Sequence, residues 1–376
     1  MTAVAQGSAD GGAALAARFA GAQWRDVVTR RSALPALPDH VLLHAGPAFE
    51  GPPPTPVLNA AAQALCFERL AGSVEEAIGL IASGRALLLP AQDAGVATPL
   101  AQVVSASMPL AVVGSGRRTF LAPLVEGTPP ALRFGSADPA CLGRMAAIAA
   151  FGVDVLAPLL RANPVGLDAV IAHALAAGDE CHGRTAAANE ALLAAIVGLA
   201  AGDAALPAAN PNFVLPVLMA AAGWLLAGGE GDPRPATLAA VGGNGVQFGF
   251  RTHGAREWTR VGAVPPVGGR LPGREAATPL GAIGDSAVID FCGLGGQAMH
   301  LAPLLAAEWA AWMQGDPLLR RQAVVDPATG LVDLDRIMAS GMVPQVNLAI
   351  LDREGGVGLL GRGFSLPPAP LFGLPG

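Results

Sequence analysis

The stretch VLLHAGP at residues 41–47 has the pattern of a short buried strand that runs into a Gly-Pro turn. Two further apolar runs of strand length, each bounded by Gly or Pro, follow at 86–90 and 110–113. The segment 56–81, between the first two runs, reads as helix with a break near Gly72-Ser73. Because strand and helix alternate to about residue 160, the sequence predicts an α/β unit over residues 39–160.

The chain on either side of this unit has a different character. Residues 1–38 are Ala-rich and form an N-terminal segment, and apolar residues with helical spacing predict a helical domain at 161–230. The remainder, 231–376, is Gly-rich and contains strand-like alternation around Val246 to Phe250, which indicates a second α/β unit. The predicted fold is therefore mixed α/β, with two α/β units and a small inserted helical domain.

The composition points to an interface. The 376-residue chain has a net charge of −6, and 14% of its residues are charged while 52% are apolar. Soluble domains usually have about 25% charged residues. A chain with so few charged residues is expected to bury a large interface in a homo- or hetero-oligomer. The alternative is that a GC-rich genome causes the same composition. The acidic balance and the absence of any basic run argue against a nucleic-acid partner.

All 23 basic residues are arginines, because the chain contains no lysine, and tyrosine is absent as well. Without lysine there is no internal Schiff base for pyridoxal phosphate, no P-loop lysine and no kinase-type lysine. Recognition of phosphate or carboxylate must therefore use arginine forks, backbone N–H groups and helix N-termini.

The four cysteines, Cys66, Cys141, Cys181 and Cys292, stand singly along the chain. This usage is typical of a reducing compartment rather than a disulfide framework or a zinc site. The N-terminus lacks the features of a signal peptide, and the longest apolar run, 214–227, is too short to cross a bilayer. We therefore expect a cytoplasmic protein without a membrane partner.

The segment GDECHGRT at residues 178–185 is the densest group of functional side chains in the sequence. In a helix, Asp179 and His182 lie on one face, and Cys181 and Arg184 do the same. We assign Asp179 and His182 as candidate catalytic residues and Arg184 as a candidate anion-binding residue. The alternative is a turn or cap between two helices. No second His or Cys cluster completes a metal shell, so no metal site is expected.

Two Gly-rich segments follow. In VGGNGVQFGFR, residues 241–251, Asn244 and Arg251 are candidate anion-binding residues, with a tight hairpin at Asn244-Gly245 as the alternative. In the second segment, Asp285 is a candidate proton carrier and Ser286 a candidate substrate contact. The N–H groups of Gly295 and Gly296 are candidate donors to an anion.

The second segment does not match the dinucleotide fingerprint, which needs a third glycine and a distant acidic residue. We expect no cofactor. A Ser hydrolase is excluded, since the chain has no G-x-S-x-G elbow. A metal-dependent amidohydrolase is disfavoured because the histidines are scattered.

Taken in order, the motifs resemble the YlbE-like family, whose members are encoded beside FdrA-type proteins and a carbamate kinase. The motifs that carry the resemblance are HAGP at 44–47, SMP at 107–109, LRFG at 132–135, GDECHxR at 178–184, NGVxFGxR at 244–251, GDSA at 284–287 and GxxPxxN at 341–347. They run collinearly over about residues 40 to 370.

The resemblance implies a subunit of an oxamate carbamoyltransferase with an FdrA-type partner. In allantoin catabolism, a part of nitrogen metabolism, that enzyme converts oxalurate and phosphate into oxamate and carbamoyl phosphate. The chain departs from the family pattern at residues 90–95 and 210–213. These departures leave two alternatives: a divergent member that acts on another ureido or amide compound, or a non-catalytic assembly or ligand-binding subunit.

We therefore expect a small anionic substrate and a site shared between distant segments. Arg184 and Arg251 would clamp carboxylate or phosphate, the Gly295 and Gly296 amides would stabilise charge on oxygen, and His182 or Asp285 would move a proton. The pocket is expected where the helical region meets the C-terminal unit.

Overall fold

The computed structural model describes residues 11–375, and it confirms a mixed α/β fold. The strands are β1 Gln23–Thr29, β2 Val41–His44, β3 Leu87–Pro90, β4 Pro109–Gly114, β5 Thr119–Pro123, β6 Val165–Gly166, β7 Leu238–Asn244, β8 Gln247–Thr252, β9 Thr259–Gly262, β10 Val267–Arg270, β11 Ile283–Gly284, β12 Val346–Leu351 and β13 Leu359–Ser365.

Helices lie between these strands. They are α1 Arg30–Ala33, α2 Thr55–Phe67, α3 Val74–Ala82, α4 Ala140–Ala150, α5 Ala157–Ala162, α6 Leu167–Ala176, α7 Ala186–Ala195, α8 Ala201–Ala208, α9 Leu215–Leu226, α10 Ala287–Phe291, α11 Pro303–Trp309, α12 Pro317–Val324 and α13 Leu334–Ser340.

The strands form small sheets rather than one large sheet. The sheet orders are β5-β4-β1-β6, β10-β13-β12, β11-β7-β8-β9 and the pair β2-β3. The pair β2-β3 is parallel, as expected for a strand–helix–strand unit, and the other pairings are antiparallel. The sheets are too small to enclose a site alone, so the connecting loops decide where functional side chains meet.

Local sequence explains the ends of several elements. The predicted helix at 56–81 is broken near Gly72-Ser73, as expected, into α2 and α3. Helix α3 begins after Ser73, whose hydroxyl accepts a hydrogen bond of 3.2 Å from the Glu76 N–H. Pro216 stands in the first turn of α9, where a missing N–H is tolerated. The helix α9 is buried on nearly all sides and packs against β4 and β5.

One sheet joins three of the segments that the sequence analysis separates. Strand β1 pairs with β4 on one side and with β6 on the other. It thus connects the N-terminal segment 1–38, the unit at 39–160 and the helical region at 161–230. The main hydrophobic core includes residues of all these segments and of the C-terminal unit, such as Trp24, Val113, Leu218 and Ile289.

One helical stretch, Ala140–Ala162, is long and apolar enough to cross a membrane, although one such helix is weak support for a membrane span. It comprises α4, a π-helical turn at Phe151–Leu156, and α5. Several of its buried side chains, including Ile148 and Leu160, belong to the main hydrophobic core. The absence of a membrane partner therefore stays a prediction.

Candidate functional site

A cavity of about 330 Å³ lies where loops of the first α/β unit meet the helical region and the C-terminal sheets. Its volume is near the lower end of the range of about 300–1,000 Å³ for small-molecule sites. Its polar lining residues are Arg133, His182, Asn212, Arg270, Ser286, Glu308 and Arg362. Apolar walls come from residues such as Leu100, Phe134, Trp309 and Leu348.

Arg133 is the most unusual of these residues, because its cationic side chain is only 5% exposed. The guanidinium lies 4.5 Å from the centre of the Phe134 ring, and its buried Nη1 has no hydrogen-bond partner in the described part of the protein. Burial lowers the pKa of Arg133 to about 10, while the nearby Glu126 opposes that shift. An unpaired buried N–H is expensive, so this donor is suited to an anion in the cavity.

Two further arginines reach the cavity from neighbouring strands. Arg270 ends β10, and its buried Nη1 also lacks a hydrogen-bond partner within residues 11–375. Arg362, on β13, is bound at the mouth by Glu308, with 2.6 Å between Nη2 and Oε2. The two strands approach closely because β13 has Gly361 and Gly363, where a Cβ would overlap carbonyl oxygens of β10. The cavity therefore has guanidinium groups on more than one side.

His182 is the titratable ring of the cavity. Its Nδ1 lies 2.9 Å from Oδ2 of Asp290, which leaves Nε2 as the ring nitrogen available to a ligand. Burial alone would lower the pKa of His182, but the charge and hydrogen bond of Asp290, helped by Glu180, raise the pKa above its usual value. A carboxylate that orients an imidazole in this way is a common arrangement for proton transfer.

The turn that presents His182 is fixed by the two acidic residues before it. Asp179 accepts hydrogen bonds from the N–H groups of Cys181 and Ala187, at 2.9 Å each, and from that of Ala188 at 3.2 Å. It thereby caps α7. Cys181 has a φ of 73°, a strained value for a residue with a side chain. Asp179 therefore acts as a helix cap, the alternative interpretation of this segment, and it does not line the cavity.

The buried side chain of Glu180 stabilises the same turn through hydrogen bonds. Its carboxylate accepts hydrogen bonds from the backbone N–H of Gly183, from that of Arg184 at 2.8 Å and from Nδ2 of Asn347 at 2.7 Å. Burial raises the pKa of Glu180. The Arg184 side chain is half-buried and does not line the cavity. Of the segment's three candidate residues, the structure brings only His182 to the cavity.

Asp290, which the sequence analysis did not select, is held by backbone donors. Its Oδ1 accepts from the N–H of Gly296 at 2.7 Å and from that of Asn347 at 3.1 Å. The Gly295 N–H donates to the Glu180 carbonyl at 2.8 Å. Both glycines therefore use their N–H groups within the protein, and neither lines the cavity. They are required for close packing, since a Cβ at Gly296 would overlap the Gln345 carbonyl.

Asp285 lies directly behind the cavity and is fully buried. Its carboxylate accepts hydrogen bonds from the N–H groups of Gly46 at 2.8 Å and Thr98 at 2.9 Å, and from Nε2 of Gln92 at 2.6 Å. Burial raises the pKa of Asp285 to about 7. Its neighbour Ser286 does line the cavity. Asp285 thus joins the loops behind the site, while Ser286 faces the cavity.

The remaining two candidates lie elsewhere. Asn244 sits at the tip of the β7-β8 hairpin, where its Oδ1 accepts from the N–H of Gln247 at 2.7 Å and its Nδ2 donates to the Pro47 carbonyl at 2.8 Å. Arg251 pairs with Asp93, with 3.2 Å between Nη2 and Oδ1. Neither lines the cavity. The hairpin alternative therefore describes this segment, and the structure does not bring Arg184 and Arg251 to the cavity.

Arg133, Arg270, Arg362 and Asp290 were missed by sequence reasoning. A signal existed for Arg133, which stands in the LRFG motif at 132–135. Residues 11–375 contain no group of three or more His, Cys, Asp and Glu side chains that could hold a metal ion. The cavity instead offers guanidinium groups, one oriented imidazole, a serine hydroxyl and apolar walls. This set suits a small, flat anion that requires one proton transfer.

Relatives of the chain are found by sequence and by structure. The chain is 28% identical to “Uncharacterized protein YahG” of Escherichia coli (strain K12), over 90% of this chain and 78% of that protein. It is 28% identical to “Oxamate carbamoyltransferase subunit AllG” of the same organism, over 94% of this chain and 93% of that protein.

A crystal structure of a conserved protein from Enterococcus faecalis V583 superimposes with a TM-score of 0.80. It is 25% identical and covers 97% of this chain and 95% of that one. A family comparison matches residues 87–286, more than half of the chain, to the family described as “Oxamate carbamoyltransferase subunit AllG”. The matched region includes Arg133, His182 and Ser286. These matches confirm the resemblance to a carbamoyltransferase subunit, and the chain belongs to the AllG family.

Proposed function

We propose that this chain is the substrate-binding subunit of a carbamoyltransferase-type complex. Its substrate is a ureido or amide carboxylate such as oxalurate or oxamate, with phosphate or carbamoyl phosphate as the second reactant. The observation that carries the proposal is the buried, unpaired guanidinium nitrogen of Arg133 in the cavity beside His182. Membership of the AllG family supports the reaction class.

The charges of the cavity suit the two reactants. Both oxalurate and phosphate are anions, and three arginines line the cavity, one of them paired with Glu308. Arg133 and Arg270 are the arginines with buried, unpaired donors, so we assign them to the carboxylate and the phosphate. Guanidinium groups bind both anions through paired hydrogen bonds. The apolar walls formed by residues such as Leu100 and Trp309 keep water from these contacts.

The reaction needs one proton transfer. An oxygen of monohydrogen phosphate forms a bond to the carbamoyl carbon, and the bond from that carbon to the ureido nitrogen breaks. The departing nitrogen takes up the proton that the phosphate loses, so oxamate and carbamoyl phosphate leave with balanced charge. Nε2 of His182 is the group that we assign to this transfer, with Asp290 as a positioning residue.

The complex is the next part of the proposal. The resemblance supports an FdrA-type protein as the partner of this subunit, and the low charge content supports a permanent interface. We place the complex in the cytoplasm, in the catabolism of allantoin, and expect no nucleic-acid or membrane partner and no cofactor.

The test is reconstitution. The chain is co-expressed with an FdrA-type protein, the proposed partner, and the purified complex is incubated with oxamate and carbamoyl phosphate. Phosphate release and oxalurate formation are followed together. We expect activity from the complex, and Arg133→Gln lowers kcat/KM by about 10- to 100-fold, the effect of losing a hydrogen bond to a charged group.

A matched control and a second variant separate the alternatives. Arg85→Gln removes an exposed arginine outside the cavity and should leave activity unchanged. Full activity in both Arg133→Gln and His182→Gln would make this chain a non-catalytic assembly subunit. A loss in Arg133→Gln alone would make it a ligand-binding subunit whose partner supplies the proton transfer.

A further inference from the structure

A second cavity, of about 750 Å³, is lined by residues near the N-terminus and by α12 and α13, and it shares no lining residue with the cavity around His182. Three arginines line it: Arg18, Arg321 from α12 and Arg336 from α13. His300 also lines it, and its Nδ1 is buried without a hydrogen-bond partner among residues 11–375. In a chain with a net charge of −6, such a group of cationic side chains requires an explanation.

No acidic side chain pairs with these arginines in the described part of the protein. Their guanidinium groups instead donate to carbonyl oxygens: Arg18 to Pro327, Arg321 to Gly293 and Arg336 to Gln322. Each guanidinium has five N–H donors, so each keeps donors free for a ligand.

The nearby carboxylates have other partners. Asp316 and Asp333 cap α12 and α13, and Asp326 accepts from the N–H of Ala328 and the hydroxyl of Thr329. They are therefore engaged in local turns and helix ends. The positive charge of the cavity lacks a direct ion-pair partner within residues 11–375.

The arginines also repel one another. Burial lowers the pKa of Arg321 to about 10, and the charge of Arg18 adds to that shift. Burial and the charge of Arg321 lower the pKa of His300 to about 4. Like charges placed together in a partly buried cavity are unfavourable unless an anion binds between them.

We propose that this cavity is a second anion-binding site, for an organic phosphate. The arginines would hold the phosphate groups. The apolar wall formed by Leu15, Leu301, Leu318 and Val325 would contact the organic part. The volume is more than a single phosphate needs and lies within the range of about 300–1,000 Å³ for small-molecule sites.

The two cavities are separate, but both contain residues that connect to one segment, residues 293–297. Arg321 donates to the carbonyls of Gly293 and Gln297, at 2.6 and 3.1 Å. Gly296, between them, donates to Asp290, the partner of His182. Residues 293–297 are thus hydrogen-bonded to Arg321 of the second cavity and, through Asp290, to His182 of the first.

Isothermal titration calorimetry of the full chain tests the proposal, with ADP and inorganic pyrophosphate as the probes. We expect both to bind, with ADP at least threefold tighter because its organic part contacts the apolar wall. Arg18→Gln and Arg336→Gln should each weaken ADP binding by about tenfold or more, the effect expected for a charged hydrogen bond. Arg85→Gln is the matched control and should bind normally.

Other results would overturn the proposal. Binding that survives in both Arg18→Gln and Arg336→Gln but is lost in Arg133→Gln belongs to the first cavity. The absence of binding at millimolar ADP and pyrophosphate removes the site altogether. Pyrophosphate binding as tight as ADP binding would exclude an organic ligand. Thermal unfolding of each variant verifies that it is folded, and the use of two arginines keeps the test valid if one variant is not.

Discussion

Two buried aspartates, Asp285 and Asp290, stand five residues apart, and neither is exposed to solvent. The carboxylate of Asp285 receives hydrogen bonds from Gly46, Gln92 and Thr98, all of which come from loops distant in sequence. Asp290 receives backbone hydrogen bonds at one oxygen and places its other oxygen against His182, which lines the cavity. The same residue type thus holds loops together at one position and orients a reactive ring at the other.

The difference lies in the donors rather than in burial. Backbone and amide donors fix a carboxylate in one role, because removing it leaves several buried N–H groups unpaired. A carboxylate that is hydrogen-bonded to an imidazole sets the orientation and the pKa of that ring, and here the ring lines the cavity. Asp285 is therefore expected to affect stability most, and Asp290 activity most.

The largest effect is expected for Asp290→Asn. The amide oxygen can still accept from Gly296 and Asn347, while the new NH2 group faces Nδ1 of His182 and removes the charge that supports the imidazolium. We expect turnover of the reconstituted complex to fall by about 10²- to 10⁴-fold, the contribution of general acid–base catalysis.

The free energy of unfolding of Asp290→Asn should fall by about 1.5–3 kcal/mol, less than for Asp285→Ala, since the interaction that is lost is one hydrogen bond to a charged group. The pH–rate profile should also lose the limb that reports His182. Normal turnover in the folded variant would show that Asp290 does not act on the reaction through His182.

The next effect is expected for Asp285→Ala, which leaves the N–H groups of Gly46 and Thr98 and the amide of Gln92 without their acceptor. At about 1–3 kcal/mol for each buried unpaired donor, with partial relaxation, the free energy of unfolding should fall by about 3–5 kcal/mol. Urea unfolding measures it. A change below about 1 kcal/mol would mean that water replaces the carboxylate and that Asp285 is not the junction of these loops.

Features that depend on neighbouring residues could be predicted from the sequence, whereas contacts between distant residues could not. The strands at 41–44 and 87–90 and the hairpin tip at Asn244 follow from nearby residues, and the structure contains them. His182 was selected because its segment is dense in functional groups. Asp290 was not, because its role depends on a contact with a residue 108 positions away, which no local pattern encodes.

Arg133 and the two glycines show the same limit. The importance of Arg133 lies in its burial and its unpaired nitrogen, and only the packing of Phe134 and the neighbouring loops creates these. Gly295 and Gly296 have the composition of an anion cradle, but their N–H groups already bind Glu180 and Asp290. A Gly-rich turn indicates close approach without telling whether a ligand or another part of the chain approaches.

A smaller effect is expected for Gly296→Ala. This variant tests whether Gly296, which donates to Asp290, is needed for close packing rather than for anion binding. The added methyl group would overlap the backbone carbonyl of Gln345. Overpacking of this kind usually lowers the free energy of unfolding by about 1–3 kcal/mol. Thermal or urea unfolding measures it. A variant of normal stability that fails to bind oxamate would instead support the original hypothesis that the Gly295 and Gly296 amides bind an anion.

The smallest effect concerns pH. The pKa of Asp285 is raised to about 7 by burial, with Asp93 adding to the shift, so the folded protein keeps a proton there that the unfolded chain has already lost. Its contribution to stability is therefore fully present below about pH 4 and is lost as the pH rises from about 4 to about 7. For one group the slope is at most about 1.4 kcal/mol per pH unit.

His182, whose pKa is also raised, acts in the same direction, as does Asp179, whose pKa burial raises to about 6. Wild-type protein should thus lose stability as the pH rises from about 4 to about 7, and Asp285→Asn should show a shallower slope over this range because Asn does not titrate. Urea unfolding at several pH values compares the two. Identical slopes would mean that Asp285 is ionised throughout this range, with its three donors outweighing burial. In that case Asp285 would resemble Asp290 in charge and differ from it only in what it holds.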